Sequence, residues 1–305
     1  MPPRPLDLLD LPMLYRYRGE VVSLDSARLL TRGNPLGAAG FMAYFNPIRH
    51  IYSAIHSENG TALIGGVTHT GVDSYARLLY LAPAAELSRP SLTPLIEHLS
   101  AEAGKWGAFH VLADTDEDSD AFVALRRSGF SVYAWQRIWD VSNIAGAAST
   151  TGWDRMKSNH LPAVQSLYHQ IVPPLLHPVE PTPKRIAGLI CAEGARCYVN
   201  LFYGVYGIVL NPLIHPEATD VAAKLSALIA SLPNRRGRPV YLCVRSYQTW
   251  LEPVLEDLGA KPGDRQAVMV KHLARMIKDE QTVRAAQPAG VVPASRVSQI
   301  EEHKS

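Results

Sequence analysis

The chain runs through one order of elements twice. A helix opener, a strand ended by proline, an amphipathic helix, an apolar strand, a second helix closed by glycine and a final strand occur once before a small-residue segment and once after it. Leu11-Pro12 corresponds to Leu161-Pro162, Pro83 to Pro216, His110-Val111-Leu112-Ala113 to Tyr241-Leu242-Cys243-Val244, Gly129 to Gly259, and Gln136 to Gln266. The offsets drift slowly, as insertions in loops make them drift. The pattern predicts two similar α/β domains rather than one larger fold.

Composition restricts class more than function. With 305 residues, 47% hydrophobic and 19% charged, the chain is long enough to bury two cores. A net charge of +2 provides no field that draws nucleic acid. The one tight basic cluster, Arg235-Arg236-Gly237-Arg238 beside Pro233-Asn234, reads as a solvated turn between a helix and a strand. The 3 cysteines, Cys191, Cys197 and Cys243, form no CxxC pair and are odd in number, which favours a reduced chain over a disulfide scaffold. The start, Met1-Pro2-Pro3-Arg4-Pro5, lacks an apolar secretion core, and no later stretch is long and uncharged enough to span a membrane. Cytoplasm is the expected location.

The boundary between copies falls in Ala145-Gly146-Ala147-Ala148-Ser149-Thr150-Thr151-Gly152, where nothing large is available to bury. The expected organisation is an N-terminal domain over 1–144, a linker over 145–152, a C-terminal domain over 153–277 and a disordered tail over 278–305. The tail loses periodicity and is interrupted by Pro288 and Pro293, although Val297 to His303 has the makings of a short partner-bound helix.

In copy one, Asp10 is placed to cap a helix whose Pro12 sits in the first turn, with Leu11, Leu14 and Tyr15 as its apolar face. Ile51 to Ile55 and Ala62 to His69 flank Asn59-Gly60, a hairpin signal. Arg77 to Ala82 reads as a strand buried on both faces and stopped by Pro83. Leu92, Leu95, Ile96 and Leu99 fall at helical spacing, so Ser91 to Ala103 is a helix. Phe109 to Ala113 is the next strand, Asp118 to Arg127 a short helix capped by Gly129, and Phe130 to Asp140 the last strand. Copy two repeats this with the stripe Val221, Leu225, Leu228, Ile229 and Leu232, the strand Val240 to Val244, the helix bearing Leu251, Val254, Leu255 and Leu258, and the strand Ala267 to Val270. Pro173-Pro174, Pro178, Pro181 and Pro183 stiffen a loop expected to lie over a cleft.

The element order, and above all Leu125-Arg126-Arg127-Ser128-Gly129-Phe130 with its echo Leu255-Glu256-Asp257-Leu258-Gly259, resembles the GNAT-type N-acetyltransferase family from Leu8 to about Leu273. The resemblance implies two tandem GNAT-like domains, each a mixed central sheet flanked by helices. In that family a central strand and the next one splay apart. Acetyl-CoA slides its pantetheine arm into the opening while a helix N-terminus holds the pyrophosphate.

Two family features are missing from both copies. The phosphate-binding pattern of Gln or Arg, two residues, Gly, one residue, and Gly or Ala is replaced in copy one by Ala82-Pro83-Ala84-Ala85-Glu86-Leu87-Ser88-Arg89-Pro90-Ser91, which holds no glycine. Ser88, Arg89 and Ser91 remain as candidate phosphate ligands, while Pro90 removes a donor. Copy two has His215-Pro216-Glu217-Ala218-Thr219-Asp220, with carboxylates where an anion would lie. The tyrosine that many members use as a general acid, four residues before the terminal glycine, is Leu125 in copy one and Leu255 in copy two. Tyr80, Tyr203, Tyr206 and Tyr247 are substitutes or plain packing residues.

Other motifs fail their own tests. Asp114-Thr115-Asp116-Glu117-Asp118-Ser119-Asp120 lacks the glycine and glutamate of a calcium loop and reads as a solvated turn with Asp118 near a helix cap. His160, His169 and His177 lack helical metal spacing, so no metal is expected. Serine-hydrolase elbows, Rossmann loops and Walker loops are absent.

Two readings remain. One is a divergent acyl-CoA-dependent N-acyltransferase that takes acetyl-CoA in copy one, with Leu79, Tyr80 and Leu81 offering backbone groups to pantetheine, and that acetylates a small-molecule or peptide amine. The other is a catalytically silent protein of the same fold that binds a ligand or partner in the cleft. No nucleic acid or membrane partner is expected on either reading.

Overall fold

A computed structural model describes residues 2–37, 50–58, 60–71, 73–145, 152–183, 187–191 and 196–273. Copy one comprises β1 (Arg4–Pro5), α1 (Leu11–Tyr17), β2 (Val22–Ser23), α2 (Ser26–Arg32), β3 (His50–Glu58), β4 (Thr61–His69), β5 (Tyr75–Ala82), α3 (Leu92–Lys105), β6 (His110–Asp116), α4 (Asp120–Arg127) and β7 (Ser131–Asp140). Copy two comprises β8 (Trp153–Arg155), α5 (Leu161–Ile171), β9 (Leu189–Cys191), β10 (Cys197–Tyr203), β11 (Ile208–Ile214), α6 (Val221–Ala230), β12 (Val240–Arg245), α7 (Leu251–Asp257) and β13 (Lys261–His272). The duplicated order is real at the level of structure. Apart from Ala145 and Gly152, the expected linker lies outside the described residues, as does the tail from 278.

The strands join in one 13-stranded sheet, ordered β1-β3-β4-β5-β6-β13-β7-β12-β11-β10-β9-β8, with β2 paired to β5 off this path. β5–β6 and β11–β12 are the parallel pairs. The copies exchange their final strands. β13 pairs antiparallel with β6 of copy one, and β7 pairs antiparallel with β12 of copy two. The exchange meets a backbone requirement, because β6 and β12 are buried and each needs a partner for its free edge.

Helices α3 and α4 pack on one face against Val111, Ala113, Ala267 and Met269, and α6 and α7 pack against Leu210, Leu242 and Val244. The opposite face carries α1 over Ile64 and Leu79, and α5 over Ile190 and Leu213. Alternation along each strand decides which residue meets which layer. β5 breaks the alternation at a bulge. Gly66 pairs with Tyr80 and Val67 with Leu78, leaving Leu79 as the extra residue, so Leu79 and Tyr80 both join the α1 side while Leu78 and Leu81 join the α3 side.

Several local readings need correction. Asp10 does not cap α1; its carboxylate accepts from the Asp7 N–H at 3.0 Å and from both terminal nitrogens of Arg4 at 2.7 and 2.8 Å. The face that α1 buries is Met13, Leu14 and Tyr17, whereas Leu11 and Tyr15 are exposed. Ser119, not Asp118, caps α4, its Oγ accepting from the Phe122 N–H at 3.2 Å. Asp114 is no solvated turn residue, since it lies within β6 with its side chain buried. At the β3–β4 turn Gly60 takes φ +80°, while Asn59 lies outside the described residues.

Helix α2 crosses from copy one to copy two. Tyr206 N–H donates to Thr31 C=O at 3.1 Å, and a Cβ on Gly204 would stand 1.9 Å from that same oxygen. Gly204→Ala should therefore destabilise the protein by on the order of 3 kcal/mol through overpacking against backbone, measured by chemical unfolding. Because the exchanged strands complete each other's sheets, calorimetry of residues 1–273 should show one cooperative transition. Two separate transitions would mean that each copy is stable without the other's strand.

Candidate functional site

The family resemblance directs attention to two openings, one where β5 leaves β6 and one where β11 leaves β12. In copy one the parallel pairing ends at Arg77↔Leu112. Beyond it the chain's own backbone fills the gap. Val22 pairs with Leu81 and Ser23 with Tyr80; Leu24 N–H then donates to Leu79 C=O, and Leu24 C=O accepts from Asp114 N–H, each at 2.9 Å. Leu24 thus bridges the two diverging strands, and its side chain shares a fully buried cluster with Leu125. Leu79, Tyr80 and Leu81 are brought together at the opening as expected, but their outward edge is paired to residues 22–24. The Tyr80 hydroxyl is spent on Ser53 Oγ at 2.9 Å.

Of the expected phosphate ligands of copy one, Arg89 has an internal partner. Ser88, Arg89 and Ser91 lie together beside the start of α3, but Arg89 is ion-paired with Glu86 and the Ser88 carbonyl accepts from Arg127 at 3.0 Å. Leu92 N–H donates to Arg89 C=O and Thr93 N–H to Pro90 C=O, both at 3.2 Å, and the next residue is Pro94. The first turn of α3 has no converging donors for a diphosphate.

Copy two is closed differently. Pairing ends at Leu210↔Leu242, and past it the exposed edge of β11 is met by one side chain, Gln248. Its Nε2 donates to Pro212 C=O at 2.9 Å and its Oε1 accepts from Ile214 N–H at 3.0 Å. Gln248 is buried, and its carboxamide occupies the place of a peptide group from a missing strand. At the nearby helix start, Lys224 N–H bonds Asp220 C=O while Val221, Ala222 and Ala223 have no backbone acceptor among the described residues. Asp220 itself takes φ 53° and makes no side-chain cap.

A buried polar cluster lies at the base of this second opening, on the α5 face. Arg245 donates to Gln136 Oε1 at 2.6 Å and stands 3.3 Å from Glu180 Oε1. Tyr247 OH donates to the same Glu180 oxygen at 3.3 Å. Gln136 and Gln266, the residues matched between copies, face each other across β7–β13, with Gln136 Nε2 donating to Gln266 Oε1 at 2.9 Å. Ser26 Oγ donates to the same Gln266 oxygen at 2.9 Å. Arg77 reaches Asp114 at 3.4 Å, and Ser26 N–H donates to the other Asp114 oxygen at 3.1 Å. The Cys243 thiol, pushed up to about 11 by burial, donates to Gln136 at 3.2 Å. Burial raises Asp25 above the usual carboxylate range, an effect that Arg77 opposes.

Glu180 comes from the proline-stiffened loop. That loop does cover the sheet, with Val179 packed on Leu112 and Val270, so the prolines hold a carboxylate over the central strands. Tyr133 is the extra residue of a bulge in β7, between the Ala134↔Val268 and Val132↔Met269 pairs. Its hydroxyl, Glu180 Oε2 and Asn211 Oδ1 are buried without a hydrogen-bond partner among the described residues. Sequence reasoning named Tyr247 as a possible acid but missed Glu180, Tyr133, Arg245 and Gln248. The mirrored Gln136–Gln266 pair was the available signal for this location. The histidines behave differently: His169 and His177 bring their rings to 4.7 Å, but His177 Nε2 bonds Val172 C=O at 2.8 Å. Among the described residues no group of His, Cys, Asp and Glu is arranged to hold a metal, and no helix is long and apolar enough to cross a membrane.

Burial lifts the hydroxyl pKa of Tyr133 and Tyr247 well above 10, and that of Tyr198 to about 12. These groups stay protonated in the folded chain at pH values where the unfolded chain has lost the proton. Their contribution is complete below about pH 10 and is lost as pH rises through the folded values. Stability should therefore fall above pH 10, and Tyr133→Phe should reduce that fall. Because the Tyr133 hydroxyl has no partner, the same substitution should cost nothing at pH 7; urea unfolding at both pH values checks it.

No protein-family model matches the sequence, and no curated protein matches it. Solved structures do. The tandem GNAT protein from the clavulanic acid biosynthesis pathway, solved without AcCoA, is similar over 90% of this chain and 98% of its own, at TM-score 0.52 and 14% identity. A GCN5-related N-acetyltransferase from Sphaerobacter thermophilus is similar over 88% of this chain and 95% of its own, at TM-score 0.52 and 13% identity. These likenesses establish the fold as two tandem GNAT-like domains.

Proposed function

We propose that this chain is a divergent acyl-CoA-dependent N-acyltransferase whose acyl-CoA site is in copy two and is gated by Gln248. The observation that carries the reading is the bidentate hold of the Gln248 carboxamide on Pro212 C=O and Ile214 N–H. A side-chain amide is the chemical equivalent of the amides in a pantetheine arm, so the same acceptor and donor would hold the arm once Gln248 turns aside. Copy one offers no such exchange, because its opening is filled by backbone anchored on both strands.

Acetyl-CoA, the donor implied by the fold, supplies an activated thioester carbonyl when bound. The chain's own contribution is proton handling. Tyr247 adjoins the gate and remains protonated at neutral pH, and its hydroxyl touches Glu180, which Arg245 orients. Tyr247 takes the general-acid role that Leu255, fully buried in the α6–α7 core, cannot take. The acceptor is an amine of a small molecule or peptide.

A second reading has its own support. Leu24 seals one opening with backbone, and neither Leu125 nor Leu255 bears a hydroxyl, which suits a catalytically silent protein that binds a ligand or partner.

Calorimetric titration of acetyl-CoA separates the two. Gln248→Ala frees the β11 edge and removes the cost of breaking two hydrogen bonds, at roughly 1 kcal/mol each, so acetyl-CoA should bind it roughly tenfold or more tighter than the native chain. Arg89→Glu in copy one should leave binding unchanged. Tyr247→Phe should lower acetyl transfer by about a hundredfold without loss of acetyl-CoA binding. An absence of binding by both the native chain and Gln248→Ala establishes the silent reading.

A further inference from the structure

Copy two carries a second concavity, remote from the gated opening. It is a pocket of about 470 Å³ between β8, β9, β10 and the turn 233–238 that leads into β12. That turn precedes the first residue of β12, Val240, whereas the gate lies beyond the last one, Arg245. The two sites therefore sit at opposite ends of the strand.

The pocket wall combines two chemistries. Arg155, Arg236 and Arg238 line one part and Met156, Leu189 and Leu201 another, and among the described residues no carboxylate lines it. The basic cluster of the sequence is thus more than a solvated turn, for its members have divided tasks. Arg235 and Arg238 are half-buried braces: Arg235 donates to Ser142 C=O at 2.6 Å, and Arg238 donates to Arg235 C=O at 3.1 Å and to Gly204 C=O. Arg238 also lies over the Tyr203 ring, 5.6 Å from its centroid. Arg155 and Arg236 are left without an ion pair or hydrogen bond to any described residue. Arg236 is in the left-handed region at φ 48°, as is Asn234 at φ 56°, an arrangement that a side chain resists and that a built site can require. Burial raises the Tyr203 hydroxyl pKa, an effect that Arg238 and Arg155 oppose.

We propose that this pocket binds a small organic phosphate, its phosphoryl group held by Arg155 and Arg236 beside the braced Arg238, whose guanidinium is bonded to the Arg235, Gly204 and Asn234 carbonyls, and its apolar body seated on Met156, Leu189 and Leu201. The guanidinium forks match phosphate oxygens two at a time, and several cations with no counter-charge suit a dianion better than a single carboxylate. The volume is within the range of ligand pockets and larger than a bare phosphate ion needs. Bare phosphate also leaves the apolar wall unused. This inference does not rest on the acyl-CoA reading.

Titration of phenyl phosphate into the full chain at low salt is the test, with inorganic phosphate and benzoate as comparators. Phenyl phosphate should bind with micromolar to sub-millimolar affinity, more tightly than either comparator, and the affinity should weaken as salt is added. Arg155→Ala and Arg236→Gly should each weaken it by tenfold or more. Both variants should fold, because Arg155 is exposed and glycine relieves the left-handed backbone at 236. Gln248→Ala should not change it, which keeps this result separate from acyl-CoA binding. Inorganic phosphate or benzoate binding as tightly as phenyl phosphate overturns the assignment. Unchanged affinity in both arginine variants, or no phenyl phosphate binding at millimolar concentration, also overturns it.

Discussion

The antiparallel pairing of β7 with β13 is the interaction on which the rest of the structure depends. These are the last strands of the two copies, and each finishes the other copy's sheet: β13 covers the edge of β6, and β7 covers the edge of β12. Buried strand edges need partners, and here the partner comes from the opposite half of the chain. The duplication has therefore become one continuous sheet, with Gln136 and Gln266 paired where the last strands meet. Ser26, Cys243 and Arg245 bond into that meeting point.

The openings in the two copies illustrate two ways of satisfying the same backbone groups. Where strands diverge, an unpaired carbonyl and N–H must be met by something. In copy one the answer is covalently continuous backbone, Val22 to Leu24, tied down further by α2. In copy two the answer is a single carboxamide on a rotatable side chain. Displacing the first means pulling a strand out of a sheet. Displacing the second means changing the rotamer of one residue and exchanging its two hydrogen bonds for equivalent ones. That difference makes copy two the better candidate for a ligand, although its helix start is the more acidic in sequence.

The charges beneath the two openings are expensive to bury and are paired accordingly. Arg245 meets Glu180 and Gln136, and Arg77 meets Asp114, so breaking either pair would leave an uncompensated charge in the interior. Three of the buried polar atoms without partners among the described residues, on Tyr133, Glu180 and Asn211, are on this same side of the molecule. A bulge aims Tyr133 there and the proline-rich loop holds Glu180 there, so local irregularities in the backbone concentrate the reactive groups.

The repeat, most of the helices and the inner strands were legible from residue pattern because they answer to local rules, whereas α2 was not read. Leu92, Leu95, Ile96 and Leu99 at helical spacing could bury one face only as a helix, and Arg77 to Ala82 could be satisfied only as a strand covered on both sides. The matched Gln136 and Gln266 marked the centre without explaining it. The N-caps at Asp10 and Asp118 and the buried face of α1 were misread, Asp10 because it had a better partner in Arg4 six residues back than in its own helix. The site was legible only in outline. Leu79, Tyr80 and Leu81 do border an opening, but nothing local in Leu24 announces that it will enter that opening, and nothing in Gln248 announces that it will take the place of a strand. Strand exchange, the plugging of the gaps and the meeting of Glu180 with Arg245 all join residues far apart in the chain. Sequence by itself determined which segments form helices and strands, because that is decided within a few residues; tertiary structure alone decided which unpaired groups meet, because hydrogen-bond satisfaction is settled across the whole sheet.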